Sequence, residues 1–136
     1  DVEIKQVLGR NKNHLAFAKD KVSINTDFNQ IPSADFYILA VSDDSIGLVA
    51  EKFKDSKGLI VHTSGATSLA VLNDCKRAGI FYPLQTFTTG KIISFDDIPI
   101  CIEAKNFTCS SSICKQFHKL HVYYWCRYLR RKQCRF

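Results

Sequence analysis

ADFYILAVSDD (34–44), GLIVHTSG (58–65) and GIFYPLQ (79–85) are the three stretches that decide the fold of this 136-residue chain. Each is an apolar run that ends in a short polar turn. Near-continuous runs of Val, Ile and Leu, separated by helix-length segments, are typical of strands buried on both faces of a parallel sheet. Ligands bind such sheets at the carboxyl ends of the strands. The three polar turns are therefore the predicted location of function.

The remaining pattern extends these strands into an α/β fold. We predict an order of strand, helix, strand, strand, helix, strand, helix, strand, loop and strand, which is typical of a doubly wound, mostly parallel sheet in three layers. The predicted strands are residues 2–8, 22–24, 36–41, 59–61, 80–82 and 98–103, and the predicted helices are 11–20, 45–54 and 67–77.

Composition separates residues 1–104, the predicted domain, from an atypical tail at 105–136. The net charge of the chain is +6, but residues 115–136 hold seven basic and no acidic side chains, so the rest of the chain is close to neutral. The tail is either a basic, aromatic surface for nucleic acid or a frameshifted, disordered stretch that is not native coding sequence. The abrupt change of composition favours the second interpretation, and nucleic-acid binding by the tail stays as the alternative.

The bulk properties exclude several classes of protein. A hydrophobic content of 46% and a charged content of 24% are ordinary for a globular domain. No apolar run reaches the roughly 20 residues of a membrane span, and no signal peptide opens the chain, so we expect a cytoplasmic location. The six cysteines contain no C-x-x-C pair and no His pair completes a zinc pattern, so no metal site is predicted.

The turn after the first predicted strand reads GRNK (9–12) and carries two cationic side chains. Arg10, together with Lys12, can clamp a phosphate, and Asn11 lies between them. The alternative is an ordinary solvated turn.

The turns after the next two strands combine hydroxyl groups with the start of a predicted helix. Ser42 follows one strand, and Thr63, Ser64 and Gly65 follow the other. Hydroxyl and backbone N–H groups in such turns bind ribose and phosphate oxygens, but the same residues also cap helices. His62 lies at a strand end, where it can act as a general acid or hydrogen-bond donor, or be a structural histidine.

The segment FYPLQTF (81–87) forms a third polar turn with aromatic neighbours. Gln85 and Thr86 can orient a polar substrate, while Phe81, Tyr82 and Phe87 can form an apolar wall. The alternative is a loop that is held in place by its own aromatic side chains.

Together, ADFYILAVSDDSI, GLIVHTSGA, AGIFYPLQTFTTGK and FDDIPICIEA resemble bacterial Rossmann-like proteins that join an NAD(P)-binding domain to a C-terminal helical domain. These proteins are distant relatives of pyrroline-5-carboxylate reductase. The resemblance covers about residues 2–104. It implies an oxidoreductase that transfers hydride between NADP, or NAD, and a small-molecule substrate, with a homodimeric full-length parent.

The resemblance also implies roles for individual residues. Arg10 is expected near the 2′-phosphate of NADP, and Ala40, Val41 and Ser42 near a ribose. His62, Ser64, Gly65 and Gln85 are expected near the nicotinamide or the substrate. The candidate catalytic residues are thus His62, Ser64 and Gln85, and the candidate cofactor-binding residues are Arg10, Asn11, Lys12, Ala40, Val41, Ser42, Thr63 and Gly65.

The sequence departs from this family at both ends. The glycine-rich G-x-G-x-x-G loop that cradles a pyrophosphate is absent, and so is the helical domain. We therefore expect the chain to be a fragment of such a reductase. A non-catalytic nucleotide-binding or interaction domain is the second alternative.

Overall fold

The computed structural model of the chain describes residues 3–88, 94 and 98–105. Within these ranges the chain forms six strands, one α-helix and three short 3₁₀ segments. The strands are β1 (Gln6–Leu8), β2 (Ser23–Asn25), β3 (Phe36–Leu39), β4 (Leu59–His62), β5 (Ala78–Pro83) and β6 (Ile100–Ala104). The helix is α1 (Asp43–Ala50), and the 3₁₀ segments are Lys12–Ala18, Glu51–Phe53 and Leu69–Leu72.

A four-stranded sheet in the order β3-β4-β5-β6 forms the centre of the fold. The first three strands are parallel, and β6 pairs with β5 in the antiparallel direction. Leu39 lies opposite His62, and His62 lies opposite Ile80. The predicted α/β fold with mostly parallel strands is therefore confirmed.

The strands divide between two sheets, because β1 and β2 form a separate parallel pair. The two sheets meet at both ends of β1. Near the start of β1, the Lys5 ammonium donates a hydrogen bond to the Ser33 carbonyl oxygen at 3.2 Å. Beyond the end of β1, Gly9 and Arg10 face Ala40 and Val41 across a cavity. β1 and β3 share no hydrogen-bond ladder.

One face of the four-stranded sheet carries the main core. Its buried members come from the three parallel strands, α1 and the two 3₁₀ segments that follow: Leu39, Ile46, Ala50, Phe53, Ile60, Leu72, Cys75 and Ala78. The rings of Tyr37 and Phe53 also pack here, with centroids 4.8 Å apart. Ile100 and Ile102 form a second, smaller cluster with Phe36 and Phe81. The prediction of three layers is not confirmed by the described residues.

Two of the three predicted helices are shorter and tighter than the sequence indicated. Residues 11–20 form the 3₁₀ segment Lys12–Ala18, and residues 67–77 form only Leu69–Leu72. The buried residues of the first segment fit this difference: Leu15 and Ala18 are three residues apart, whereas Ile46 and Ala50 of α1 are four apart. A spacing of three matches the 3₁₀ repeat and a spacing of four matches the α-helical repeat.

The tail predictions lie almost wholly outside the described residues, as does most of the loop before β6. In the described part of the chain, none of the helices has the length and apolar character that a membrane span requires.

Candidate functional site

The three predicted polar turns lie at one edge of the four-stranded sheet. Because β3, β4 and β5 are parallel and in register, their carboxyl ends point the same way. The backbone reinforces this arrangement, since the Thr63 N–H donates to the Leu39 carbonyl oxygen at 3.3 Å. The turn at 40–42 and the turn at 63–65 are thus neighbours. This edge is where ligands bind in open α/β sheets.

A cavity of about 510 Å³ opens between the two sheets at this edge. It brings together the turn that follows β1 and the turn that follows β3, which lie about thirty residues apart in the sequence. The lining residues are Leu8, Gly9, Arg10, Asn11, His14, Leu15, Ala40 and Val41. They include no carboxylate, so the charged and titratable side chains of the lining are Arg10 and His14.

Four of the predicted cofactor-binding residues meet in this cavity: Arg10, Asn11, Ala40 and Val41. The other four, Lys12, Ser42, Thr63 and Gly65, are not part of its lining. His14 lines the cavity although sequence reasoning missed it. The sequence signal that could have identified His14 is that it follows Arg10 by four residues, on the first helical turn beyond the strand.

Local contacts explain why His14 and Arg10 lie together. Asn11 caps the 3₁₀ segment, since its Oδ1 accepts the Asn13 N–H at 2.9 Å, and its carbonyl oxygen accepts the His14 N–H at 3.1 Å. Leu15 then fixes the segment by burial, with 7% of its surface exposed. Gly9 permits this packing, because a Cβ atom there would lie 2.9 Å from Leu15 Cδ2.

The turn after β3 leads directly into α1. Ser42 occupies the N-cap position, and Asp43 and Asp44 lie in the first helical turn. Carboxylates in this turn are favoured by the helix dipole. The Ser42 hydroxyl makes no cap hydrogen bond to the backbone but lies 2.9 Å from the Ser45 hydroxyl. Ser42 is exposed, so its hydroxyl is accessible to a ligand.

The turn after β4 uses its hydroxyl group internally. Ser64 Oγ donates to Thr67 Oγ1 at 3.0 Å and accepts the N–H groups of Ala66 and Thr67 at 3.1 and 3.0 Å. A hydroxyl has one proton to donate and two lone pairs. In this geometry the capacity of Ser64 Oγ is fully used by its own turn.

His62 is completely buried at the end of β4, with 0% of its surface exposed. Side chains alternate along a strand, so His62 shares the face of Ile60, on which α1 packs. Its Nδ1 accepts the Ser64 N–H at 3.3 Å, which places the proton of the neutral ring on Nε2. Among the described residues, Nε2 has no partner with full hydrogen-bond geometry, although the Ser68 backbone is close enough to favour the charged ring slightly.

Burial lowers the pKa of His62 below the ordinary value of 6.5. The carboxylates of Asp43 and Glu103 favour the charged form and oppose this effect, but they do not outweigh it. His62 is therefore a neutral, enclosed imidazole that orders the following turn. Its predicted catalytic role stays a prediction, and in this structure its ring is not open to a substrate.

The aromatic side chains of FYPLQTF, which were predicted to form an apolar wall, lie in different surroundings. Phe81 packs against the cluster of Ile100 and Ile102. Tyr82 instead lies against the turn after β4, because a Cβ atom at Gly65 would be 2.6 Å from Tyr82 Cζ. Gly65 therefore allows a close approach between the second and third polar turns. Phe87 is 52% exposed.

Gln85 lies just beyond β5 and is exposed. Its N–H donates to the Pro83 carbonyl oxygen at 2.8 Å. In the described part of the structure, no hydrogen bond joins the Gln85 side chain to His62 or Ser64, and the catalytic role of these three residues stays a prediction. The described residues also contain no group of three or more His, Cys, Asp or Glu side chains that could hold a metal ion.

Comparison with known structures identifies proteins of similar fold. A candidate NADP oxidoreductase from Bacteroides fragilis has a TM-score of 0.77 and 27% identity, over 90% of this chain and 51% of that protein. A pyrroline-5-carboxylate reductase from Coxiella burnetii has a TM-score of 0.69 and 19% identity, over 90% and 49% of the two chains. A Thermotoga maritima protein has a TM-score of 0.66 and 17% identity, over 89% and 48%.

The last two similarities show the fold alone, whereas the first extends to the sequence. No protein-family profile matches the chain, and no curated protein sequence is significantly similar to it. The predicted resemblance to Rossmann-like NAD(P)-binding proteins is confirmed at the level of the fold. The chain spans about half the length of the structures it matches.

Proposed function

We propose that this chain contributes part of the cofactor-binding domain of an NADP-dependent oxidoreductase. In this proposal the cavity between the two sheets holds the adenosine ribose of NADP, with the 2′-phosphate at Arg10. The observation that carries the proposal is that the cavity joins Arg10 and Asn11 to Ala40 and Val41. The similarity to the Bacteroides fragilis NADP oxidoreductase supports the same assignment.

The chemistry of the cavity fits the adenosine end of this cofactor. Leu8, Leu15 and Val41 supply apolar surface for a nucleoside. An acidic residue at the corresponding position of a dinucleotide site favours the 2′-hydroxyl of NAD, whereas arginine accommodates the 2′-phosphate of NADP. The lining has Arg10 and no carboxylate, which supports NADP over NAD.

The bound nicotinamide would supply hydride transfer to or from a small-molecule substrate. The residues of this chain would bind and orient: Arg10 and Asn11 at the phosphate, Ser42 at a ribose, and the ordered turn at 63–65 beside the reacting end. The full-length parent is proposed to be a homodimer, and the helical half of such a reductase would complete the cleft.

Arg10→Gln tests the proposal, with Lys19→Gln as the matched loss of one positive charge outside the cavity. We expect the chain to bind NADP more tightly than NAD in titration calorimetry. Arg10→Gln should weaken NADP binding by about tenfold, since a charge-assisted contact contributes roughly 1.5 kcal/mol, and leave NAD binding nearly unchanged. Lys19→Gln should match the wild type. Equal affinities for the two cofactors, or equal effects of the two variants, would contradict the proposal.

A non-catalytic nucleotide-binding domain is the second candidate, and a specific observation favours it. The His62 ring is enclosed and the Ser64 hydroxyl is fully used within its turn, so neither group faces a reacting atom. This candidate predicts that the intact parent binds NADP without oxidising or reducing any substrate. Spectrophotometric detection of NADPH formation or consumption with the full-length parent, over a panel of small imino and carbonyl compounds, would exclude it.

A further inference from the structure

We infer that His14 is a second phosphate contact in the cavity and helps to select NADP over NAD. This inference rests on the proposed function. It assigns to His14 a role that the sequence pattern did not suggest, because the relevant feature is the spatial pairing of His14 with Arg10. Both side chains are exposed and both line the same cavity.

The surroundings of His14 favour an anion as the ligand. The 3₁₀ segment that carries His14 packs against β1 and β2, whose residues (QVL and SIN) bear no charged or titratable side chain. The opposite wall is formed by Ala40 and Val41, which are also uncharged. In the cavity, Arg10 is therefore the one fixed charge that faces His14, and it is positive. A phosphate between the two side chains would accept hydrogen bonds from both.

The position of His14 is set by the backbone. Its N–H is bonded to Asn11, whose side chain caps the same segment, and the next residue, Leu15, is anchored by burial. The backbone of His14 is thus fixed at the cavity wall, on the same cavity as Arg10, without depending on a ligand. A charged imidazole would add a second positive group to the cavity, and histidine side chains gain that charge as the pH falls through the range from about 8 to 5.

The test compares the wild type with His14→Gln, which keeps a hydrogen-bond donor but has no titratable charge, and with His14→Lys, which keeps a permanent charge. Ala16→Gln introduces glutamine at an exposed position of the same segment outside the cavity and serves as the control. Dissociation constants for NADP and NAD are measured by titration calorimetry at about pH 8 and about pH 6.

We expect the ratio of the NAD dissociation constant to the NADP dissociation constant to rise about fivefold in the wild type as the pH falls. A change of this size is what one exposed charge pair contributes to an equilibrium constant. In His14→Gln the ratio should stay level or decline, because the second ionisation of a phosphate monoester lies near pH 6 and the ligand loses charge. His14→Lys should retain the preference at both pH values, and Ala16→Gln should follow the wild type.

A second readout uses adenosine 2′-monophosphate and adenosine as probes. The phosphate compound should shift the His14 ring resonances in NMR spectra, whereas adenosine should shift them little. If NADP binds the wild type but His14→Gln has the same ratio and pH profile, the inference about His14 is wrong and the proposed function stands. If NADP binds no more tightly than NAD at either pH, the proposed function fails and the inference fails with it.

Discussion

The cavity at the end of β1 and the turn at the end of β4 occupy the same edge of the fold, but they are built in opposite ways. In the cavity, Arg10, Asn11 and His14 are exposed and line an open space of about 510 Å³. In the turn, His62 is completely buried, and Ser64 directs its hydroxyl to the backbone and side chain of its own loop.

Because of this difference, we expect substitutions in the two regions to affect different properties, ligand binding in one and folding stability in the other. The polar groups of the cavity are available to a ligand, so substitutions there should change affinity and leave folding nearly unaltered. The polar groups of the turn are used within the protein, so substitutions there should lower the free energy of unfolding. Both regions contain a histidine with neighbouring polar groups. The histidine of the cavity is exposed and the histidine of the turn is buried, so the two serve different purposes.

The largest expected effect on stability is that of a substitution at the centre of the four-stranded sheet, on β4, which precedes the turn at 63–65. Ile60 is completely buried on β4, whereas Ile38 on the neighbouring strand is 53% exposed. Ile60→Ala should lower the free energy of unfolding by about 3 to 4 kcal/mol, because it removes buried methyl groups and leaves a cavity. Ile38→Ala should cost less than about 1 kcal/mol. Urea denaturation measures the free energy of unfolding of both variants. Equal losses would contradict the difference in burial between Ile60 and Ile38.

A smaller effect is expected from substituting one serine in each of the first two polar turns, Ser64 and Ser42. Ser64→Ala removes three hydrogen bonds and leaves two backbone N–H groups without their acceptor, so it should cost about 1 to 2 kcal/mol. Ser42→Ala removes one contact between exposed hydroxyls and should cost about 0.5 kcal/mol or less. Thermal unfolding of the two variants checks this order. A reversed order would mean that the turn after β3 is the more tightly built of the two.

The smallest expected effect is the pH dependence contributed by His62. Burial lowers its pKa in the folded protein, so the unfolded chain binds the proton more readily. Stability from this group is fully present above the ordinary histidine pKa of about 6.5 and is lost as the pH falls through the lower folded value. The free energy of unfolding should therefore decrease below about pH 6.5, in addition to any contribution from other groups.

His62→Asn isolates this contribution, because Asn Oδ1 can accept the Ser64 N–H as Nδ1 does but does not titrate. The free energy of unfolding of the variant should depend less on pH than that of the wild type. In the wild type, the protection of the Ser64 amide from hydrogen exchange, measured relative to the intrinsic rate at each pH, should decrease as the ring gains its proton. An unchanged slope in His62→Asn, or an Ser64 amide that stays equally protected, would show that His62 is not the titrating group.

Some features of the fold could be predicted from the sequence, and others could not. The strands of the central sheet were predictable from continuous apolar runs such as FYILAV and LIV, although burial on both faces holds for LIV and not for FYILAV, in which Ile38 is 53% exposed. The common edge of the turns followed from parallel strands. The lengths of the helices at 11–20 and 67–77 were not predictable, since apolar residues within these ranges, such as Phe17 and Val71, are 78% and 39% exposed rather than part of a buried helical face.

The α/β class, the strand positions and the polar turns at the strand ends were thus readable from the sequence, because they depend on local apolar periodicity and on chain direction. The tertiary structure alone decided which turns meet. It placed Arg10 and His14 in one cavity with Ala40 and Val41, and it buried His62 and directed the Ser64 hydroxyl to its own turn. Sequence types identify groups that are capable of chemistry, but whether such a group faces a ligand or its own backbone depends on packing between segments distant in the chain.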